Sequence, residues 1–154
     1  MAVTVGVGVA VVGVTHLKRR GYSFSELVGW MAQGRAVLIL EDEDLIASLL
    51  AEVVATAGYS VVGPAASAEK AQELINEMGI DAALLDVTLE HGDQSLELAE
   101  RLRAMRIPFA FITAYSRPML PASLREMPCL EKPVSESDVV GVLAALLPPS
   151  MRPA

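Results

Sequence analysis

Residues 37–46 read VLILEDEDLI, in which four apolar side chains are followed directly by four carboxylates. A short, continuous apolar run such as Ala36–Leu40 is typical of a β-strand that is buried on both faces. Apolar residues then recur at helical spacing from Leu45 to Val54, and Gly58 stands where such a helix would end. The stretch therefore predicts a buried strand, an acidic turn and a helix.

The same alternation continues along the chain. Further predicted strands are Ser60–Gly63, which Pro64 ends, and Ala82–Asp86, Pro108–Thr113 and Cys129–Glu131. Five strands that alternate with five helical segments predict right-handed βαβ units. The predicted fold is α/β, with a parallel sheet and helices on both faces.

The helical segments between these strands have recognisable starts and inward faces. Ser67 is expected to cap the second helix, and Ser135 with Asp138 resembles a capping box for the last. Pro118 and Pro121 predict that the fourth helical segment is short or strained. The residues expected to face inward in the second, third and last helices are Ala71, Leu74, Ile75 and Met78, then Leu96, Ala99 and Leu102, then Val139, Val142, Leu143 and Leu146.

Composition limits the classes of function. The chain has 154 residues, of which 53% are hydrophobic, as in a globular domain with a core. One cysteine, Cys129, excludes an internal disulfide framework and a cysteine-rich zinc site, and it is consistent with a cytoplasmic protein. Residues 36–148 carry seven basic and eighteen acidic side chains, a net charge of −11, so no nucleic-acid partner is expected.

The organisation along the chain is predicted as one domain with two appendages. Residues 35–148 form the domain, residues 149–154 a short tail, and residues 1–34 a poorly ordered or non-native extension, with Met31 as a possible natural start. The first fifteen residues are glycine-rich, too short to span a bilayer, and followed rather than preceded by positive charge. We therefore expect no membrane association and no output domain.

Polar side chains follow four of the predicted strands, at the edge where parallel sheets bind ligands. Asp86 ends the third strand, Thr113 the fourth, and Lys132 follows the fifth. Together with the carboxylates after the first strand, they predict a Mg²⁺ site beside an aspartate that can attack phosphorus. Lys132 and Thr113 would bind the phosphoryl oxygens. Of the first-strand carboxylates, Glu43 and Asp44 are expected to start the helix and face water.

The order of Glu41-Asp42, Asp86, Thr113-Ala114 and Lys132-Pro133 on these strands resembles the receiver domain of bacterial two-component response regulators. The resemblance covers roughly residues 35–148. It implies a flavodoxin-like fold with strand order 2-1-3-4-5 and a cis Lys132-Pro133 bond. It also implies Mg²⁺-dependent transfer of a phosphoryl group from a sensor kinase histidine to Asp86.

The roles implied for the other residues follow the same resemblance. Glu41, Asp42 and Asp86, with the backbone carbonyl of Thr88, would hold Mg²⁺. Thr113 would be the switch hydroxyl and Lys132 the residue that binds phosphate.

The sequence departs from the family pattern at two positions. Glu90 stands where a proline is usual, and Cys129 stands where a tyrosine or phenylalanine is usual. No flanking residue of the fifth strand supplies an aromatic ring, so the coupled swing of Thr113 and a ring is in doubt. The segment PFAFITAY, residues 108–115, is similar to a PFxFATG-type signature of single-domain receivers found in alphaproteobacteria.

The leading interpretation is a stand-alone receiver that signals through phosphorylation-dependent contact with an unknown protein partner. Its phosphoryl donor would be a sensor histidine kinase or a histidine phosphotransfer protein. A phosphorelay intermediate or phosphate sink is an alternative. A Mg²⁺-dependent aspartyl phosphohydrolase is a further alternative, but such enzymes usually carry a second aspartate where Thr88 stands. Beyond its own phosphorylation and dephosphorylation, no enzymatic activity is expected.

Overall fold

The computed structural model describes residues 34–87, 92–114 and 120–148. Strands and helices alternate along these residues, and a short 3₁₀ turn, Ala122–Leu124, precedes the last strand. The elements are β1 Ala36–Leu40, α1 Asp44–Thr56, β2 Ser60–Ala65, α2 Ala68–Met78, β3 Ala82–Asp86, α3 Gly92–Ala104, β4 Phe109–Thr113, β5 Cys129–Glu131 and α4 Glu136–Leu146.

The strands of the described residues form one five-stranded sheet in the order β2-β1-β3-β4-β5, and every neighbouring pair is parallel. This confirms the predicted flavodoxin-like fold. The register pairs Leu40 with Leu85, Asp86 with Ile112, and Thr113 with Glu131. Because the strands are parallel and in this register, the residues that follow β1, β3, β4 and β5 lie along one edge of the sheet.

Each face of the sheet has its own hydrophobic core, which explains the continuous apolar runs of the strands. On one face, Leu38 of β1 packs in a cluster with buried residues of α2 and α3, including Ile75 and Leu102. On the other face, Ile39 packs with residues of α1 and α4, including Val54. The sheet is thus fixed from both sides, and its edge can hold polar side chains in set positions.

The second strand does not end where the sequence predicts. It continues through Gly63 and Pro64 to Ala65, with an irregularity in its pairing opposite Leu38 and Leu40. Gly63 has a φ of +94° and precedes a cis peptide bond. The prediction that Pro64 ends the strand was wrong because β2 is an edge strand, and an edge strand tolerates both proline and a bulge.

The helix starts agree with the sequence. The Ser67 side chain accepts a hydrogen bond from the backbone N–H of Lys70, and Ser135 and Asp138 form the predicted capping box. The described residues contain four α-helices, and the fourth predicted helical segment is represented by the 3₁₀ turn. Pro118 of that segment lies outside the described residues.

Several inward faces differ from the prediction. Met78 is 62% exposed although helical spacing placed it inward, because it lies in the last turn of α2, beyond the sheet-facing Ala71 and Ile75. In α3, Leu98 is buried beside Ala99 and was not predicted. Leu74, Leu96 and Leu146 are only partly buried, at the borders of the two cores.

Residues 1–33 of the predicted extension, which was to end at residue 34, and the predicted tail, residues 149–154, lie outside the described residues. Among the described helices, none has both the length and the apolar character that crossing a membrane requires.

Candidate functional site

The chain places the predicted polar residues at the carboxyl edge of the sheet. Asp86 is the last residue of β3, Thr113 is the last residue of β4, and Glu41 directly follows β1. These three side chains are almost fully buried, with exposed fractions of 1–2%. Lys132 follows β5, and its side chain is 13% exposed. Asp42 is partly exposed at the same edge.

Lys132 lies at the centre of this group. Its Nζ lies 3.0 Å from Oε2 of Glu41 and donates a hydrogen bond of 3.1 Å to Oδ2 of Asp86. Its backbone N–H donates to the carbonyl oxygen of Thr113 over 2.9 Å, and its bond to Pro133 is cis, as the family resemblance implies. The ammonium group of Lys132 therefore connects the ends of β1 and β3, while the backbone of the same residue is hydrogen-bonded to β4.

The Glu41 carboxyl group is held on several sides. Its backbone N–H donates to the carbonyl oxygen of Ala65 over 2.9 Å, and its Oε1 accepts a 3.0 Å hydrogen bond from the backbone N–H of Glu43. Oε2 is buried, and its short contact with Lys132 is an ion pair without hydrogen-bond alignment. A buried carboxylate oxygen without a hydrogen bond is an unfavourable arrangement that a further cation would relieve.

Burial and neighbouring charges shift the ionisation of both partners. Burial is the main cause that raises the pKa of Glu41 from 4.5 to about 7, and the nearby Asp86 carboxylate raises it further. The Glu43 backbone N–H and the Lys132 ammonium partly offset this rise. Burial by itself would lower the pKa of Lys132, but the Glu41 and Asp86 carboxylates outweigh it, and the net pKa is raised. Lys132 is therefore a firmly charged cation among carboxylates that compete for it.

The acidic cluster has the composition and spacing of a divalent metal site. One carboxylate oxygen from each of Glu41, Asp42 and Asp86 lies within 4.8 Å of the others. Mg²⁺ prefers oxygen ligands and is usually held by a few carboxylates together with water. Oε2 of Glu41 has only the ion pair with Lys132, which it shares with Asp86, and the raised pKa of Glu41 likewise indicates a shortage of positive charge at this position. The residues thus fit Mg²⁺. Thr88, whose backbone carbonyl is the other expected ligand, lies outside the described residues.

Glu43 makes a contact that the sequence did not predict. It is the N-cap residue of α1, as expected, but its side chain makes no capping hydrogen bond. Although the side chain is 63% exposed, Oε1 lies 3.7 Å from Nζ of Lys132. A glutamate at a helix N-terminus is ordinary, because the macrodipole favours negative charge there, so the sequence carried no signal for this contact. Asp44, by contrast, is exposed in the first turn of α1.

Cys129 lies beside an aromatic ring that the sequence left unassigned. The residue is 9% exposed in β5, and its register partner in β4 is Phe111, which is completely buried. Phe111 in turn contacts the ring of Phe109 edge-on, with 5.4 Å between centroids. An aromatic side chain therefore lies next to the usual aromatic position, but it comes from β4 and belongs to the core.

Known proteins share this architecture. Residues 37–144 match the response regulator receiver domain family. The transcriptional regulatory protein PdtaR from Mycobacterium tuberculosis is 36% identical over 110 residues, which cover 69% of this chain and 53% of PdtaR. The phyllosphere-induced regulator PhyR from Methylorubrum extorquens is 32% identical over 114 residues, which cover 72% of this chain and 43% of PhyR.

Solved structures agree with the sequence relatives. The solution structure of SdrG from Sphingomonas melonis Fr1 is 39% identical to this chain and superposes with a TM-score of 0.64, covering 73% of this chain and 96% of SdrG. The chain spans about half the length, or less, of the curated relatives it matches. The family match lacks only the first residue of β1 and the last two residues of α4, and it includes all the residues of the acidic edge. The chain belongs to the response regulator receiver domain family.

Proposed function

We propose that the chain accepts a phosphoryl group on Asp86 from a phosphohistidine of a sensor kinase, in a Mg²⁺-dependent reaction, and signals through contact with a protein partner. The observation that carries this proposal is the hydrogen bond of Lys132 to Asp86 within a cluster of three metal-competent carboxylates. A core lysine–aspartate pair alone would not need Glu41 and Asp42 beside it. The names of PdtaR and PhyR, both regulators, support a regulatory role for the family unit.

The residues divide the reaction between them. An oxygen of Asp86 attacks phosphorus, the P–O bond forms, and the P–N bond to the donor imidazole breaks with its electron pair leaving on nitrogen. Lys132 is close enough to Asp86 to transfer its hydrogen bonds to the incoming phosphoryl oxygens. The buried position of Asp86 limits competing access of water to the acyl phosphate.

The acidic pair, Glu41 and Asp42, would provide the ligands for a cation at the site. Glu41, Asp42 and Asp86 would hold Mg²⁺, which supplies positive charge to neutralise the transferred phosphoryl group. Glu41 is oriented for this by Ala65 and by the Glu43 backbone before any ligand arrives. Such preorganisation avoids a reorganisation cost during transfer.

The conformational signal would start where Lys132 and Thr113 meet. The Lys132 backbone donates to the Thr113 carbonyl, so a shift of Lys132 toward a phosphoryl group acts directly on β4 and β5. The β4–β5–α4 surface is therefore the proposed region whose affinity for a partner changes. Return of the phosphoryl group to a second histidine protein would make the same chain a relay intermediate.

The first test is labelling by acetyl phosphate in the presence of Mg²⁺, followed by intact-mass spectrometry. Wild type should gain one phosphoryl group, and Asp86→Ala should gain none. Asp81→Ala is the matched control, because Asp81 precedes the same strand and its side chain accepts a hydrogen bond from the backbone N–H of Ala36, at the opposite edge of the sheet. Equal labelling of wild type and Asp86→Ala would reject the assignment of the acceptor.

The second test concerns the partner. Wild type and Asp86→Ala are each used as bait in an extract of the native host. Each bait is used both with and without prior treatment with acetyl phosphate. A partner that binds only the phosphorylated wild type supports signalling by protein contact. Rapid loss of the label to a histidine phosphotransfer protein, without such a partner, would favour the relay or sink.

A further inference from the structure

Glu43 approaches Lys132 from the solvent side of the site. Glu41 and Asp86 contact the ammonium from the interior, where both side chains are buried. The Glu43 carboxylate, 63% exposed, reaches the same Nζ at 3.7 Å. Lys132 is thus shared by three carboxylates, of which the outermost, Glu43, is the one exposed to solvent.

The backbone of Glu43 fixes this arrangement. Its N–H donates to Oε1 of Glu41, and its carbonyl oxygen accepts from the N–H of Ala47 in the first turn of α1. The side chain makes no capping hydrogen bond, so its carboxylate is not tied to the helix backbone, although its negative charge suits a helix N-terminus. The position of Glu43 is set by the helix and by Glu41, and its charge is left to act on Lys132.

We propose that Glu43 is a positioning and specificity residue that holds Lys132 before phosphorylation and disfavours small anionic phosphodonors. This rests on the proposed function of Asp86. A donor phosphoryl group must take Lys132 from Glu43 and must come close to the Glu43 charge. A donor that docks as a protein brings further contact surface to offset this repulsion, whereas a free anion does not.

The direction of the effect follows from the charges. In transfer from acetyl phosphate, the bond from Asp86 oxygen to phosphorus forms, the P–O bond to acetate breaks, and acetate leaves with the electron pair. Replacing Glu43 by glutamine removes one negative charge near the entering anion and releases Lys132 from one of its partners. Both changes speed the reaction when Mg²⁺ is saturating.

The test compares Glu43→Gln with Asp44→Asn, which removes the same charge one residue away. Asp44 makes no ion pair with Lys132 among the described residues. At low salt, Glu43→Gln should raise the labelling rate with acetyl phosphate about threefold to tenfold, the size expected for one exposed unit charge at close range. The gain should be smaller with phosphoramidate, a less highly charged donor, and should shrink at high salt.

A second measurement does not depend on phosphorylation. The affinity for beryllofluoride is measured by ¹⁹F NMR with saturating Mg²⁺. Glu43→Gln should bind beryllofluoride more tightly than wild type by a similar factor. Glu43→Asp keeps the charge but shortens the side chain, so it separates contact with Lys132 from simple repulsion. A rate for Glu43→Asp between those of wild type and Glu43→Gln is expected.

The outcomes separate this inference from the proposed function. If wild type is labelled on Asp86 but Glu43→Gln and Asp44→Asn behave alike, with equal salt and donor dependence, Glu43 has no special role and the inference fails alone. If no variant shows Asp86-dependent labelling with any donor, the proposed function fails, and the inference fails with it. Unchanged thermal unfolding of Glu43→Gln would exclude a general structural cause for a faster rate.

Discussion

Replacing Glu41 with glutamine is expected to raise the stability of the metal-free protein relative to wild type as the pH rises. The Glu41 side chain is 2% exposed, and burial raises its pKa from 4.5 to about 7. Glutamine has the same shape and keeps an oxygen that can accept from the Glu43 N–H. It removes the buried negative charge that competes with Asp86 for Lys132, and it places an amide NH₂ where Oε2 faces the ammonium at 3.0 Å, a cost that does not depend on pH.

The magnitude follows from linkage between ionisation and folding. Because the pKa of Glu41 is higher in the folded than in the unfolded chain, its contribution to stability is complete below about pH 4.5 and is lost as the pH rises through about 7. A shift of this size corresponds to a loss of about 3 kcal/mol at pH values well above 7. The stability of Glu41→Gln relative to wild type should therefore rise by about 2–3 kcal/mol between about pH 4.5 and pH values well above 7.

The assay is urea-induced unfolding in the presence of a chelator, from about pH 4.5 to about pH 8.5. Glu43→Gln is the control, since the same chemical change at a side chain that is 63% exposed should shift stability by less than about 1 kcal/mol. Adding Mg²⁺ should stabilise wild type more than Glu41→Gln. If the free energies of unfolding of wild type and Glu41→Gln stay parallel over this pH range, the reasoning about the buried charge is wrong.

Three further predictions concern the elements that hold the site. Gly63→Ala should destabilise the fold by more than about 1 kcal/mol and weaken Mg²⁺ binding, because its φ is +94° and a Cβ would lie 2.7 Å from the nitrogen of Ala65 and 3.0 Å from the oxygen of Ile39. Gly141→Ala, where a Cβ meets nothing within 4 Å, should be neutral or stabilising in the same urea and Mg²⁺ titrations. Lys132→Met should cost about 3 kcal/mol in the metal-free protein near pH 8, because it removes the cation from two buried carboxylates, and adding Glu41→Gln should recover part of that loss in a double-mutant cycle. Ser135→Ala should lower the free energy of unfolding by about 1 kcal/mol through loss of the capping box, without changing Mg²⁺ affinity, and a change in Mg²⁺ affinity would contradict this separation of helix cap from site.

Much of the fold could be predicted because its signals are local. The apolar runs of β1, β3 and β4 are each as long as a strand and are buried as predicted, and the serine caps of α2 and α4 lie at the predicted residues. The end of β2 could not be predicted, because whether Pro64 ends a strand depends on its place at the sheet edge. Strand order is decided by tertiary packing, and it was predicted through the family resemblance.

The sequence predicted which residues lie at the site, but not which ion pairs they form there. Strand ends that carry Glu41, Asp86 and Lys132 must meet at one edge once the sheet is parallel. The spacing of residues along the chain does not determine side-chain directions. It therefore could not predict the distances among these groups, the missing hydrogen bond at Oε2 of Glu41 or the contact of Glu43 with Lys132. The sequence predicted that Glu43 faces water, and its side chain is indeed exposed. The sequence did not predict that this side chain also lies close to Lys132.

At the acidic edge, two buried carboxylates compete for one ammonium group. Two strongly apolar cores hold β1 and β3 in place, and this rigidity forces Glu41 and Asp86 to share one ammonium group. A chain selected only for stability would replace Glu41 with a neutral residue. Positive charge from Mg²⁺ would relieve this competition, and a phosphoryl group on Asp86 would draw Lys132 toward itself, so both proposed ligands would act on the same set of ion pairs. Because the backbone of Lys132 is hydrogen-bonded to Thr113, such a change would reach β4 and β5 without rearranging either core.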